Sequence, residues 1–168
     1  PPFSRAEAGK YRGSMEALVG ARGYIDDVKA KHVIMSDCNV IANIDYRKIV
    51  DAHKASGADV TAVYFRASHT GEEIQRKTVY GTGADGRISE VLINPKNFAD
   101  GTYNVSANMF VMSKEFLLNI IDEAESKNLI SFEIDFLQHK VNDFNIFGYE
   151  YDGYYEQLDS TLDYFKAN

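Results

Sequence analysis

The loop from Ser36 to Asn43 contains the side chains best suited to chemistry in this sequence. An apolar run, residues 32–35, precedes it and helical periodicity follows it, so the pattern predicts a strand, a loop and a helix start. Ligands of open α/β sheets bind outside the carboxyl ends of strands. The loop holds one carboxylate (Asp37), one thiol (Cys38) and one amide (Asn39). We expect a ligand site here and interpret Cys38 as a small buried side chain.

The elements that position this loop alternate between strand and helix. Strands are predicted over residues 32–35, 59–65, 77–82, 87–93, 102–112 and 145–151. Helices are predicted over residues 15–25, 45–57, 114–121, 134–141 and 160–166, with Ser14, Asp45 and Ser113 as N-caps. Residues 66–76 are polar and are interpreted as an exposed loop.

Composition narrows the classes of partner. The 168 residues are 45% hydrophobic and 26% charged, which is typical of a globular domain. A net charge of −7 without clustered Lys and Arg argues against nucleic-acid binding. No apolar run reaches the roughly 18 residues of a membrane span, and a single cysteine allows no internal disulfide. We expect a cytoplasmic domain, with neither nucleic acid nor membrane as partner, that binds a neutral or phosphorylated small molecule.

Three segments of the chain resemble glucose-1-phosphate adenylyltransferases, in the order that the family has them. Residues 153–168 match without a gap the family segment Gly-Tyr-Trp-x-Asp-Val-Gly-Thr-Ile-x-x-Tyr-x-x-Ala-Asn. Residues 11–17 resemble the family's Gly-Thr-Ala-Asp-Ala helix start, and residues 53–61 resemble its helix-to-strand turn. Because the matches span nearly the whole chain, the sequence is identified as a member of this family.

The resemblance implies an α/β fold of the Rossmann-like, GT-A-like nucleotidyltransferase kind. We therefore expect a mostly parallel, doubly wound sheet with helices on both faces. Residues 1–168 would form a single domain, the C-terminal part of a nucleotidyltransferase domain. The family's N-terminal Gly-rich strand and loop and its C-terminal β-helix domain have no counterpart in this sequence. This fragment alone is therefore expected to be inactive.

The family's chemistry depends on two aspartates that this sequence lacks. The family joins ATP and glucose 1-phosphate into ADP-glucose and pyrophosphate, with Mg²⁺ held by both aspartates to offset phosphate repulsion. Alignment on the family motifs places Asn39 at the first aspartate and Gln157 at the second. Amides bring no negative charge, so the resemblance implies no catalytic residue and no bound metal in this chain.

The resemblance also implies a sugar-phosphate pocket that survives without its catalytic charges. Asn94 replaces the family's lysine that pairs with the phosphate of glucose 1-phosphate. Ser106 matches a serine that contacts glucose, and Gly81 matches the Phe-Gly turn of the pocket. Glucose 1-phosphate, ADP-glucose or ATP are the implied ligands.

Three functions agree with these features. The departures resemble the non-catalytic subunit that some bacteria pair with an active adenylyltransferase in glycogen biosynthesis, which implies a regulatory subunit of a hetero-oligomer. Alternatively, Asp37 and Asp159, each two residues from the substituted positions, are metal ligands of an active, divergent sugar-phosphate nucleotidyltransferase. In extended backbone that shift displaces the carboxylate by roughly 6–7 Å. A third possibility is a sensing domain for sugar phosphates or nucleotides with another partner.

Overall fold

The computed structural model describes residues 11–158 and 160–167, so Asp159 lies outside the described residues. The α-helices of this part are α1 (Ser14–Asp27), α2 (Tyr46–Ser56), α3 (Gly71–Ile74), α4 (Lys114–Lys127) and α5 (Thr161–Ala167), and a π-helix (Phe132–Gln138) follows α4. The strands are β1 (His32–Ser36), β2 (Val40–Ala42), β3 (Val60–His69), β4 (Thr78–Thr82), β5 (Ile88–Ile93), β6 (Gly101–Ser113), β7 (Ile146–Glu150) and β8 (Tyr155–Gln157). No described helix is both long and apolar enough to cross a membrane.

Two of the three predicted N-caps are confirmed. The Asp45 side chain accepts a hydrogen bond from the backbone N–H of Arg47 at the start of α2, and Ser113 accepts one from Phe116 at the start of α4. The prediction for Ser14 was wrong, because α1 begins at Ser14 itself. The hydroxyl of Ser14 instead accepts a hydrogen bond, 2.9 Å long, from the backbone N–H of Phe132. Ser14 thus joins α1 to the π-helix.

The main sheet is mixed, with strand order β5-β4-β6-β3-β7, and β1 also pairs with β6. The expectation of a mostly parallel sheet was wrong, since among the described strands only the β3–β7 pair is parallel. Strands β1 and β3 run in the same direction, as a strand-helix-strand unit requires, but β6 lies between them and is antiparallel to both. The hairpin of β4 and β5 adds antiparallel pairs because its short turn allows no crossover.

Helices cover both faces of the sheet, as expected. Alternate residues of β6 divide between two apolar clusters, with Phe110 and Met112 on one face and Met109 and Val111 on the other. Helices α1 and α4 and the π-helix pack on the first face, and α2 packs on the second through Ile49. The sheet therefore separates two layers of core, and β1 stays paired with β6 up to Ser36, where the loop begins.

The segment 66–76 differs from the exposed loop that its polarity predicts. Strand β3 continues to His69, and residues 71–74 form the short helix α3. Pairing with β6 as far as Gly101 extends β3, and a capping box between Thr70 and Glu73 starts the helix. The polar side chains of this segment thus belong to the end of β3 and to α3 rather than to a loop.

Candidate functional site

The structure brings together the two substituted positions, Asn39 and Gln157, from distant parts of the chain. Strands β2 and β8 form a separate antiparallel pair in which Val40 lies opposite Gln157. The backbone N–H of Leu158 donates a hydrogen bond of 2.8 Å to the carbonyl of Asn39. The two positions are therefore neighbours across one short ladder.

The two amides do not fit a magnesium site. The Asn39 side-chain nitrogen donates to the carbonyl oxygen of Leu158 at 3.5 Å, and both Asn39 and Gln157 are half-buried. Magnesium prefers hard, charged oxygen ligands and is usually held by one or two carboxylates together with substrate phosphates. Neutral amides at both positions supply oxygen atoms but none of the negative charge that the ion requires.

Next to the ladder, one edge of β6 is shared between two strands. Ser36 at the end of β1 pairs with Met109, whereas β4 pairs with β6 through Val79 and Val105. Residues 106–108 lie between these two pairings. They form a β-bulge, because the register with β3 shifts there and Asn108 has a left-handed φ of 49°. A bulge of this kind redirects the chain beside the end of β1.

A cleft of about 340 Å³ opens beside the bulge. Its polar lining comes from Ser14, Ser36, Asp37, Asn108 and Glu133, with apolar side chains of α1, β1 and β6 between them. The backbone N–H of Asp37 donates to the carbonyl of Asn108 at 3.3 Å, and the Ser14 hydroxyl donates to Glu133 at 3.4 Å. Two carboxylates in one cleft attract cations and hydroxyl donors and repel phosphate oxygens.

Ser106 is buried at the bulge rather than open to the cleft. It is 4% exposed, and its hydroxyl lies 2.8 Å from the Tyr80 hydroxyl. The same oxygen accepts a hydrogen bond from the backbone N–H of Asn108 at 3.0 Å and donates to the Asn108 side-chain oxygen at 3.1 Å. Burial raises the pKa of Tyr80, which keeps this phenol a neutral hydrogen-bonding group. Ser106 therefore shapes the bulge, and its contact with glucose stays a prediction.

Asn94 and Gly81 lie at opposite ends of β4. The backbone N–H of Asn94 donates to the carbonyl of Lys77 at 3.0 Å, just before β4. Because β4 runs antiparallel to β6 with Val79 opposite Val105, Lys77 is level with the bulge. Gly81 lies on the far side of Val79, where an added Cβ would come within 3.0 Å of the Glu90 Cβ. The structure thus brings Asn94 to the bulge end but not Gly81.

Sequence reasoning missed several residues around the bulge. Asn108 gave a usable signal, since an asparagine inside an apolar strand pattern often marks a left-handed position. Tyr155 donates from its hydroxyl to the carbonyl of Ala107 at 3.1 Å, which ties β8 to the bulge. Glu133 reaches the cleft only through the path of the π-helix, and no local pattern predicted that. The interpretation of Cys38 as buried was wrong, because its side chain is exposed in the loop.

Comparisons with known proteins agree with the resemblance. No family model matches the chain. The whole chain matches curated glucose-1-phosphate adenylyltransferases of Lachnospira eligens (26% identity, 39% of that protein) and Pseudothermotoga lettingae (24%, 40% of that protein). The enzyme of Clostridium acetobutylicum matches with 24% identity over 44% of its length.

The comparison with solved structures concerns the fold. The crystal structure of HddC from Yersinia pseudotuberculosis superposes with a TM-score of 0.71 over 95% of this chain and 62% of that one, at 18% identity. The chain spans about two fifths of the length of its curated relatives. Similarity across all of its residues nevertheless makes the chain a homologue of glucose-1-phosphate adenylyltransferases.

Proposed function

We propose that this chain is part of a regulatory, catalytically inactive subunit of a glucose-1-phosphate adenylyltransferase. One observation carries the proposal: Asn39 and Gln157, which align with the family's two metal-binding aspartates, are neighbours across the β2–β8 ladder. Two distant segments thus meet in one ladder, and both positions carry amides. This backbone proximity supports the alignment of both positions with one metal site that has lost its charge.

The lost charge bears directly on the reaction. Joining ATP to glucose 1-phosphate brings two polyanions together, and Mg²⁺ supplies the neutralising charge when two carboxylates hold it. With two amides in their place, the chain lacks the anionic ligands for that ion. Catalysis then falls to a partner subunit that keeps both aspartates, in a cytoplasmic hetero-oligomer serving glycogen biosynthesis. The sheet corresponds in this proposal to part of a Rossmann-like, GT-A-like nucleotidyltransferase domain.

The cleft beside the bulge supports a role in ligand binding that needs no turnover. Asp37 and Glu133 suit hydroxyl groups of a sugar or a ribose, since carboxylates accept hydrogen bonds from such donors. In this proposal the sugar or ribose hydroxyls of glucose 1-phosphate, ADP-glucose or ATP bind there, with the phosphates directed away from the two carboxylates. Occupancy then alters the catalytic partner through the interface between subunits.

The test is ADP-glucose formation with saturating Mg²⁺ by the complete subunit, first alone and then mixed with the catalytic subunit of the same organism. We expect no turnover alone and a changed rate or substrate affinity in the mixture. Asp37→Asn, also assayed alone, is the matched variant that separates this proposal from relocated metal ligands. In an inactive subunit there is no turnover for the substitution to abolish. Ligand binding with no effect on any adenylyltransferase would favour the sensing domain instead.

A second candidate is an active nucleotidyltransferase with relocated metal ligands. One observation favours it: Asp37 lines the cleft, whereas the Asn39 amide is hydrogen-bonded to Leu158. The second ligand would be Asp159. Turnover by the subunit alone, abolished by Asp37→Asn or by Asp159→Asn, would establish this candidate and overturn the regulatory proposal.

A further inference from the structure

A second cleft, of about 610 Å³, lies between α3 and α5 and shares no lining residue with the cleft at Asp37. Its lining includes His69 at the end of β3, Arg76 and Lys77 before β4, and Ser160 and Asp163 at the start of α5. These side chains come from three separate parts of the chain. The proposed function uses none of them.

His69 presents a buried nitrogen that nothing in the described residues satisfies. Its Nε2 is shielded from solvent and has no hydrogen-bond partner there, although such groups are nearly always paired in folded proteins. On the other side of the ring, Nδ1 lies 3.6 Å from the carboxylate of Glu73. Glu73 thus lies beside Nδ1, and Nε2 is the imidazole nitrogen left without a partner; a ligand in the cleft would reach it once the ring turns toward the cleft.

The carboxylates around His69 are engaged by groups of their own segments. The Glu73 carboxylate accepts hydrogen bonds from the backbone N–H and the hydroxyl of Thr70, which hold the pKa of Glu73 below its usual value. The Asp163 carboxylate accepts a hydrogen bond of 2.8 Å from the Ser160 hydroxyl. Both carboxylates are thus already hydrogen-bonded within their own segments, which limits their competition with a ligand for the Arg76 guanidinium.

Arg76 is the strongest donor left for a ligand. Its guanidinium makes no hydrogen bond or ion pair with any described residue, although Glu72 and Glu73 precede it by four and three positions. Arginine binds phosphate and carboxylate groups through two parallel hydrogen bonds. The lining also holds Lys77 as a second cation, beside the carboxylates of Glu72, Glu73 and Asp163.

We infer that this cleft binds a ligand through a phosphate-type oxyanion, which accepts hydrogen bonds from the Arg76 guanidinium and, once the imidazole turns toward the cleft, from the Nε2–H of His69. The ligand would satisfy, at the same time, the guanidinium of the lining and the one buried side-chain nitrogen that lacks a partner among the described residues. The site is independent of the amide substitutions at Asn39 and Gln157 and of any turnover.

Calorimetric titration of the complete polypeptide with inorganic phosphate, and separately with glucose 1-phosphate, tests the inference. Phosphate should bind, and His69→Gln and Arg76→Gln should each weaken it by about tenfold or more, since each removes a charge-assisted hydrogen bond. Arg66→Gln is the control, because Arg66 is exposed on β3 outside the lining and its loss removes the same charge. Phosphate should also slow amide hydrogen exchange of the unsubstituted protein over residues 69–77.

Three results would overturn the inference. Equal weakening by Arg76→Gln and Arg66→Gln would reduce the effect to overall charge. Absence of phosphate binding at millimolar concentration, with exchange over residues 69–77 unchanged, would remove the site. Binding of glucose 1-phosphate alone, without inorganic phosphate, would show that the sugar rather than the oxyanion is recognised.

Discussion

The hydrogen bonds at the bulge of β6 lead to a prediction about stability. If they form one buried network, substitutions at Tyr80 and Ser106 should not have independent effects on the free energy of unfolding. Tyr80 is 3% and Ser106 is 4% exposed, and their hydroxyl oxygens are 2.8 Å apart. Ser106 also exchanges hydrogen bonds with the backbone and side chain of Asn108. We expect the two hydroxyls to be strongly coupled, so that removing both costs less than the sum of removing each.

The magnitudes follow from what each change leaves unpaired. Tyr80→Phe removes one bond and leaves the Ser106 hydroxyl with its Asn108 partners, which should lower the free energy of unfolding by about 1 kcal/mol. Ser106→Ala strands the buried Tyr80 hydroxyl and two bonds of Asn108, so about 2–3 kcal/mol is expected. In the double variant the Tyr80 hydroxyl is no longer stranded, and the coupling energy should be about 1 kcal/mol.

Urea unfolding of the four proteins, followed by circular dichroism, measures the cycle. A control comes from Ser68 and Thr102, whose hydroxyl oxygens are 3.1 Å apart on the exposed surface. Ser68→Ala should change the free energy of unfolding by less than about 0.5 kcal/mol, because water replaces the lost partner. Additive effects at Tyr80 and Ser106, or a loss at Ser68 equal to that at Ser106, would refute the reasoning.

Three further predictions concern other parts of the chain. Burial, with a smaller effect of His32, lowers the pKa of His53. The unfolded state therefore takes up the proton first, and the free energy of unfolding should fall as pH drops below about 6.5. Urea unfolding between pH 7.5 and 5.5 measures this, and the same dependence of that free energy on pH in His53→Gln would contradict it. Phe132 is fully buried against Phe110 and Phe136, so Phe132→Ala should lower the free energy of unfolding by about 3–5 kcal/mol. Leu162 is exposed, and Leu162→Ala should change that free energy little in the same assay. Cys38 is exposed, so one thiol should react with a disulfide reagent in the native state as fast as in urea, and protection of that thiol would contradict its placement.

Local signals predicted most of the elements. Asp45 and Gly57 bound α2 because an N-cap carboxylate and a left-handed glycine act within a few residues of sequence. Gly86, with φ of 81°, forms the predicted turn between β4 and β5. Each of these signals depends on residues close in the chain, which is why no tertiary knowledge was needed.

Strand order could not be read in the same way. The positions of β1 and β3 on opposite edges of β6 depend on a pairing between segments far apart, and any apolar strand satisfies the same pattern. The alignment implied one shared site for Asn39 and Gln157, and the pairing of β2 with β8, which brings the two segments together, came only from the structure. The bulge at Asn108, and Glu133 in the cleft, required the three-dimensional path of β6 and of the π-helix.

The alignment of Asn39 and Gln157 with two aspartates that hold one metal ion yields a final prediction. Two carboxylates facing one site, as that alignment requires, would repel each other unless a cation lay between them. Two unit charges roughly 6 Å apart near a protein surface repel by about 1–3 kcal/mol. The ladder itself is held by backbone hydrogen bonds such as that from Leu158 to Asn39, which the substitutions leave in place.

The double variant Asn39→Asp, Gln157→Asp should therefore unfold more easily than the natural chain in the presence of a chelator. Mg²⁺ should restore its midpoint in urea, since an ion that binds only the folded state stabilises it. The natural chain should show no such dependence, and each single variant should show a small one because one carboxylate alone has no neighbour to repel. A double variant as stable as the natural chain without Mg²⁺ would mean that the two side chains do not face one site. The alignment with the metal aspartates would then fail together with the argument for lost catalysis.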